Sequence, residues 1–222
     1  MKLLLTSAGI KNKSIHDALV SLLDKPIAES NAFCIPTASY GHPMAGPVRA
    51  WNFIAGQEPQ CPMIELGWKS MGVLELTALP SIDKELWVPK VQDVDVILVN
   101  GGDPMYLCYW MRQSGFADLL PSLDAVYVGL SAGSMVMTPR IGQDFVGWTP
   151  PEGGDETLGL VDFSIFPHLD NPDLPDNTMS TAERWAAKLN GPAYAIDDET
   201  AFRVVDGSVD VISEGHWKQL SQ

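Results

Sequence analysis

Short apolar runs alternate with amphipathic stretches along most of the chain. Runs that read as strands are KLLLTS (2–7), NAFCIPTAS (31–39), VDVILVNGG (94–102) and AVYVGLS (125–131). Further on come VDFSIFPH (161–168), AYAID (193–197), AFRVVDG (201–207) and SVDVIS (208–213). Several are apolar on both faces, the pattern of strands covered by helices on both sides. Helical patterns lie between them at 14–24, 46–56, 103–123 and 177–191. The last begins among Ser and Thr caps and stops at Asn190-Gly191-Pro192. This alternation predicts a single α/β domain over residues 1–222, built on a mostly parallel sheet with helices on both faces. A β-hairpin through Asp206-Gly207 is predicted near the C-terminus. The Gly- and Pro-rich stretch 147–160 reads as a surface loop.

Composition narrows the function classes. Hydrophobic residues make up 45% of the 222 positions, enough for a sizeable core. A net charge of -14, with no run of Lys or Arg, argues against a nucleic-acid partner, because phosphate binding needs clustered cations. No apolar stretch approaches the ~20 residues of a membrane span. The apolar part of MKLLLTSAGIKNKS is too short for a secretion signal and reads as a first strand. Cys34, Cys61 and Cys108 are odd in number and lack C-x-x-C spacing, which fits reduced thiols and a cytoplasmic location rather than disulfides or a zinc site.

The chemistry concentrates in AVYVGLSAGSMVM (125–137). A strand-like run ends in Gly129-Leu130-Ser131-Ala132-Gly133, and a helix-compatible run follows. G-x-S-x-G at a strand-to-helix junction is the nucleophile-elbow pattern: a sharp turn lifts the serine hydroxyl off the sheet edge. The Ala132 N–H would open the helix and face a developing oxyanion. One strand earlier, Asn100-Gly101-Gly102 precedes Asp103-Pro104, so the Gly102 N–H is a candidate second donor on the same rim.

A serine nucleophile needs a base. His168 ends a strand-like run and falls on the serine's rim. His16 reads as a helix-surface residue, His42 as a loop residue, and His216 follows the hairpin. The orienting acid has two candidate regions, Asp144 after the elbow and Asp198 in AIDDETAF. The residues do not choose between them.

The set VNGGDPMYL (99–107), GLSAGSMV (129–136), FPHLD (166–170) and AIDDETAF (195–202) resembles the peptidase E family of serine peptidases, over nearly the whole chain. The resemblance implies a class I glutamine amidotransferase-like fold with serine at the elbow and no metal or organic cofactor. It implies Ser131 as nucleophile, His168 as base, Asp144 or Asp198 as acid, and Gly102 and Ala132 as oxyanion donors. It also implies short peptide substrates, N-terminal Asp dipeptides or aspartate-backbone polymers. Such substrates need a cation for their carboxylate, for which Arg140 and Arg184 are the candidates. The expectation is a cytoplasmic dipeptidase-like hydrolase, monomer or homodimer, binding neither nucleic acid nor membrane. Two rival readings stand: an α/β-hydrolase-type esterase using Ser131, Asp198 and His216, and a catalytically silent binding protein on the same scaffold.

Overall fold

A computed structural model describes residues 1–221. The chain opens with β1 (Lys2–Thr6), α1 (Lys13–Leu23), β2 (Asn31–Ile35), α2 (Ala38–Gly41) and α3 (Gly46–Ile54). It continues through β3 (Ser70–Val73), α4 (Lys84–Gln92), β4 (Val96–Val99), α5 (Pro104–Gln113), α6 (Phe116–Leu119), β5 (Val126–Leu130) and α7 (Ala132–Met135). The last third holds β6 (Ser164–Phe166), α8 (Met179–Ala186), β7 (Ala193–Ile196), β8 (Thr200–Val205), β9 (Ser208–Ser213) and β10 (Trp217–Ser221).

Seven strands form the main sheet in the order β3-β2-β4-β5-β1-β8-β9. The first five are parallel, and β8 and β9 add an antiparallel hairpin across Asp206-Gly207. Successive side chains of the central strands alternate between two apolar layers. Leu3, Leu5, Ile97, Val99 and Tyr127 face one layer, packed with Trp87, Val91, Leu107, Met111 and Phe116 of the helices. Leu4, Val96, Leu98, Val126 and Val128 face the other, packed against α1. Helix α1 buries Ile15, Ala18, Leu19, Leu22 and Leu23, an i, i+3, i+4, i+7, i+8 stripe. Asn12 caps it, its side chain accepting from the Ile15 N–H at 2.9 Å.

The outcome departs from the sequence pattern in several places, β3 (Ser70–Val73) among them, where the pattern predicts no strand. The runs at 161–168 and 193–197 do not join the main sheet: β7 pairs with β6 on one side and β10 on the other in a separate three-stranded sheet. That sheet has its own core, in which Phe166, Ala193 and Ala195 pack on Ala182 and Trp185 of α8. The long helical pattern at 103–123 breaks after α5, where Gly115 takes φ +76°. Helix α4 forms despite Pro89, which removes one backbone donor, because Trp87 and Val91 bury against the sheet. The helix after the serine is one turn long.

Because β1, β2, β4 and β5 are parallel, their C-terminal ends share one edge of the sheet. Strand β8 runs the opposite way, with Ala201 in register with Thr6, so the turn preceding it meets the same edge. No helix among the described residues is long and apolar enough to cross a membrane.

Candidate active site

Ser131 follows β5 directly and adopts φ 49°, ψ -108°, a region that residues with a Cβ rarely occupy. Two glycines make the turn possible. A Cβ on Gly129 would lie 2.5 Å from the Gly133 carbonyl oxygen, and one on Gly133 would lie 2.5 Å from that of Val99. The turn is tied to β1 as well: the Ser131 N–H donates to the Thr6 carbonyl at 3.0 Å.

The neighbouring rim is just as closely packed. Gly102 has φ +145°, and a Cβ there would meet the Ala38 carbonyl oxygen at 2.2 Å. The amides on either side of it are occupied. Gly101 N–H donates to Asn100 Oδ1 at 2.8 Å, and Asp103 N–H donates to the Ala38 carbonyl at 2.9 Å. Among the described residues the Gly102 and Ala132 amides donate to no protein acceptor. Asp103 caps α5 through the Tyr106 N–H and also accepts from the Trp148 N–H at 2.6 Å. Burial raises its carboxyl pKa, against those two amides.

His168 lies in the turn after β6 with φ 57°. Its Nε2 is 2.9 Å from Ser131 Oγ, and its Nδ1 is 2.7 Å from Asp198 Oδ1. Asp198 occupies the turn between β7 and β8. Burial works to raise its pKa, but the His168 and Asn171 hydrogen bonds and the Lys11 charge outweigh it, so the pKa falls below the usual 3.8. A charged Asp198 accepts a hydrogen bond from Nδ1–H and leaves Nε2 as the acceptor toward Ser131. The arrangement can therefore draw a proton from the serine hydroxyl and hold the resulting imidazolium beside a carboxylate.

Ser131, His168 and Gly102 open onto a cavity of about 430 Å³, which Met135, Phe145 and Val146 also line. A second cleft, of about 460 Å³ and lined by Arg112, Arg140 and Asp155, contains none of these three. Among the described residues no group of three or more His, Cys, Asp or Glu is placed to hold a metal ion.

The family model of peptidase family S51 matches residues 3–212. The chain belongs to this family. S51 membership supports a serine-type peptidase hydrolase. An uncharacterized peptidase of Listeria monocytogenes serovar 1/2a is 28% identical over 106 residues, 45% of this chain and 52% of that protein. The alignment thus spans about half of that relative's length. A candidate peptidase E protein from Listeria monocytogenes EGD-e superposes with TM-score 0.66 at 22% identity, covering 96% of this chain and 98% of that one. A peptidase from an acI-B1 Actinobacterium superposes with TM-score 0.69 at 20% identity, covering 99% and 90%. At these identities the likeness is one of fold, consistent with the class I glutamine amidotransferase-like architecture.

Four residues singled out from the S51 sequence stand apart from the Ser131–His168 pair. Asp144 lines the cavity, but its carboxylate is ion-paired with Lys188 at 2.7 Å and makes no hydrogen bond to His168. Arg140 gives its Nε and Nη2 to Asp155 at 3.1 and 2.6 Å in the other cleft. Arg184 is exposed on α8 and bonds Ser180 and Thr181 of its own helix. His216 contacts Asp170 and Asp197 at 3.0 Å each, so the esterase arrangement with His216 as base is not formed.

Other residues reach the site without a motif to announce them. Ser7, fully buried at the end of β1, accepts from the His168 N–H at 2.8 Å and donates to Asp198 Oδ1 at 3.1 Å. Asn171 Nδ2 donates to Asp198 Oδ2 at 2.6 Å. Arg49 of α3 lines the cavity, where it is the sole Lys or Arg among the described residues. The signal that could have found Arg49 is a cation on a helix directly after the loop of His42, itself a cavity residue.

Proposed function

We propose that this chain is a serine peptidase that hydrolyses short peptides, dipeptides with an N-terminal aspartate among them. The observation that carries the reading is the 2.9 Å approach of His168 Nε2 to Ser131 Oγ, with Asp198 behind the imidazole at 2.7 Å.

His168 takes the hydroxyl proton as Ser131 Oγ attacks the scissile carbonyl. Asp198 orients the ring and stabilises its cationic form. The Gly102 and Ala132 amides, free of protein acceptors among the described residues, stabilise the tetrahedral oxyanion. The imidazolium then protonates the leaving amine, and water, deprotonated by the same imidazole, hydrolyses the ester on Ser131.

Arg49 supports an acidic group on the substrate. Its Nε stands 3.6 Å from Glu58 Oε1, a loose pair, and its terminal nitrogens have no hydrogen-bond partner among the described residues. A guanidinium fork left free in a cavity suits bidentate binding of a carboxylate. Arg140 and Arg184 are already engaged elsewhere.

The test is a panel of X-Leu dipeptides with released leucine as the readout, alongside Ser131→Ala. Cleavage favouring Asp-Leu and lost in the variant is the expected result. Cleavage that survives in Ser131→Ala would remove Ser131 from the chemistry. A panel left uncut by protein whose Ser131 is still labelled by a serine-reactive probe would remove the substrate assignment alone.

A further inference from the structure

Thr6, the last residue of β1, and Ser7, the residue after it, hold both reacting partners at once. The Thr6 carbonyl accepts from the Ser131 N–H at 3.0 Å and from the Ser134 hydroxyl at 2.8 Å. The Thr6 hydroxyl donates to the Gly129 carbonyl at 2.7 Å. Thr6 thus fixes the serine turn at three points. The next residue turns to the other partner. The Ser7 hydroxyl accepts from the His168 N–H at 2.8 Å, donates to Asp198 Oδ1 at 3.1 Å, and lies 3.5 Å from His168 Nδ1.

The carbonyl that holds Ser131 belongs to the peptide unit joining Thr6 to Ser7. That unit is planar and stiff, and it sits at the C-terminal edge of the sheet, where Thr6 is flanked by Leu130 of β5 and Ala201 of β8. The Ser7 N–H is itself tied to the Thr200 carbonyl at 3.3 Å. The turn of His168, by contrast, belongs to the other sheet and has a strained φ of 57°. It needs a fixed external partner to keep its imidazole aimed at a serine from the main sheet.

We infer that Ser7 is a positioning residue for the reaction, its buried hydroxyl setting the Ser131–His168 distance and the orientation of the imidazole from the end of β1. This rests on the serine-peptidase reading above. Ser7 touches no substrate; it acts through His168 and Asp198. It also shares Asp198 Oδ1 with the imidazole Nδ1. Removing its hydroxyl leaves more of the carboxylate's charge facing the imidazolium, which favours the protonated ring.

The test compares Ser7→Ala and the near-isosteric Ser7→Cys with the unmodified protein. The readouts are kcat, KM and the acid limb of the pH–rate profile on a cleaved dipeptide, with the rate at which a fluorophosphonate phosphonylates Ser131, displacing fluoride. Expected is a fall in kcat of roughly tenfold to a hundredfold, the effect of a displacement of an ångström or less. KM should hold, and the acid limb should move to higher pH. Ser7→Cys keeps the side-chain volume and serves if Ser7→Ala does not fold. An unchanged kcat, or a loss of activity with an unmoved acid limb, would overturn the inference. Equal phosphonylation rates in the unmodified protein and Ser7→Cys would also overturn it, leaving the nucleophile reading intact. Unmodified protein that is never phosphonylated would overturn both.

Discussion

Gly102→Ala tests the oxyanion donor most sharply, because the structure sets the size of the effect. The new Cβ would lie 2.2 Å from the Ala38 carbonyl oxygen, 2.3 Å from its carbon and 2.6 Å from the Ser39 nitrogen. All three are backbone atoms at the start of α2, so no side chain can rotate away. Reaching ordinary contact at 3.4 Å requires a relative displacement of about 1.2 Å. The φ of +145° adds strain of about 1–3 kcal/mol for any residue with a Cβ. The Gly102 amide should therefore leave its place opposite Ala132. Loss of one oxyanion donor costs about 10²–10³ in kcat, or roughly 3–4 kcal/mol of transition-state stabilisation. KM should change little, because the amide acts mainly on the tetrahedral state. The assay is steady-state hydrolysis normalised to the folded fraction by near-UV circular dichroism. A folded Gly102→Ala protein with unreduced kcat would refute the reasoning, since the displaced amide could then carry no transition-state charge.

Three further outcomes follow from the same geometry. Asp198→Asn should lower kcat by about 10³–10⁴, by removing the acceptor that fixes the imidazole tautomer, whereas Asp144→Asn should leave kcat near its original value; equal losses would return Asp144 to consideration. Arg49→Gln should abolish discrimination between Asp-Leu and Asn-Leu while leaving cleavage of neutral dipeptides in place, and a preference that survives would place the carboxylate elsewhere. Asp198 has its pKa depressed in the folded state, so its contribution to stability is present above the usual 3.8 and is lost as pH falls through the lower folded value; thermal melts should show a steeper loss of Tm below about pH 4 in the unmodified protein than in Asp198→Asn, and parallel curves would contradict the depressed pKa.

How much was legible in the sequence depended on which forces act locally. The serine turn could be read because G-x-S-x-G is a local pattern: Gly129 is pressed against the backbone of Gly133 four residues on, although Gly133 itself faces the Val99 carbonyl of the neighbouring strand. The central strands could be read because burial on both faces leaves an unbroken apolar run, as in Val96–Val99. The split into two sheets could not. The sequences SIF and AYAI look like further central strands, and only packing against Trp185 of α8 separates them. Strand β10 is largely exposed and reads as polar, and its pairing with β7 supplies the missing signal. The acid could not be chosen because Asp144 and Asp198 both lie in turns. The antiparallel return of β8 beside β1 is what carries Asp198 to the edge of the sheet. Ser7 carries no local pattern, since its surroundings come from segments far away in the chain, such as His168.

The most direct measurement is mass spectrometry of the intact protein after exposure to a fluorophosphonate, with the adduct located by peptide mapping. The expected result is one adduct, on Ser131, formed slowly or not at all in His168→Ala. An adduct on another serine, or labelling of Ser131 at the same rate without His168, would contradict a nucleophile activated by that imidazole.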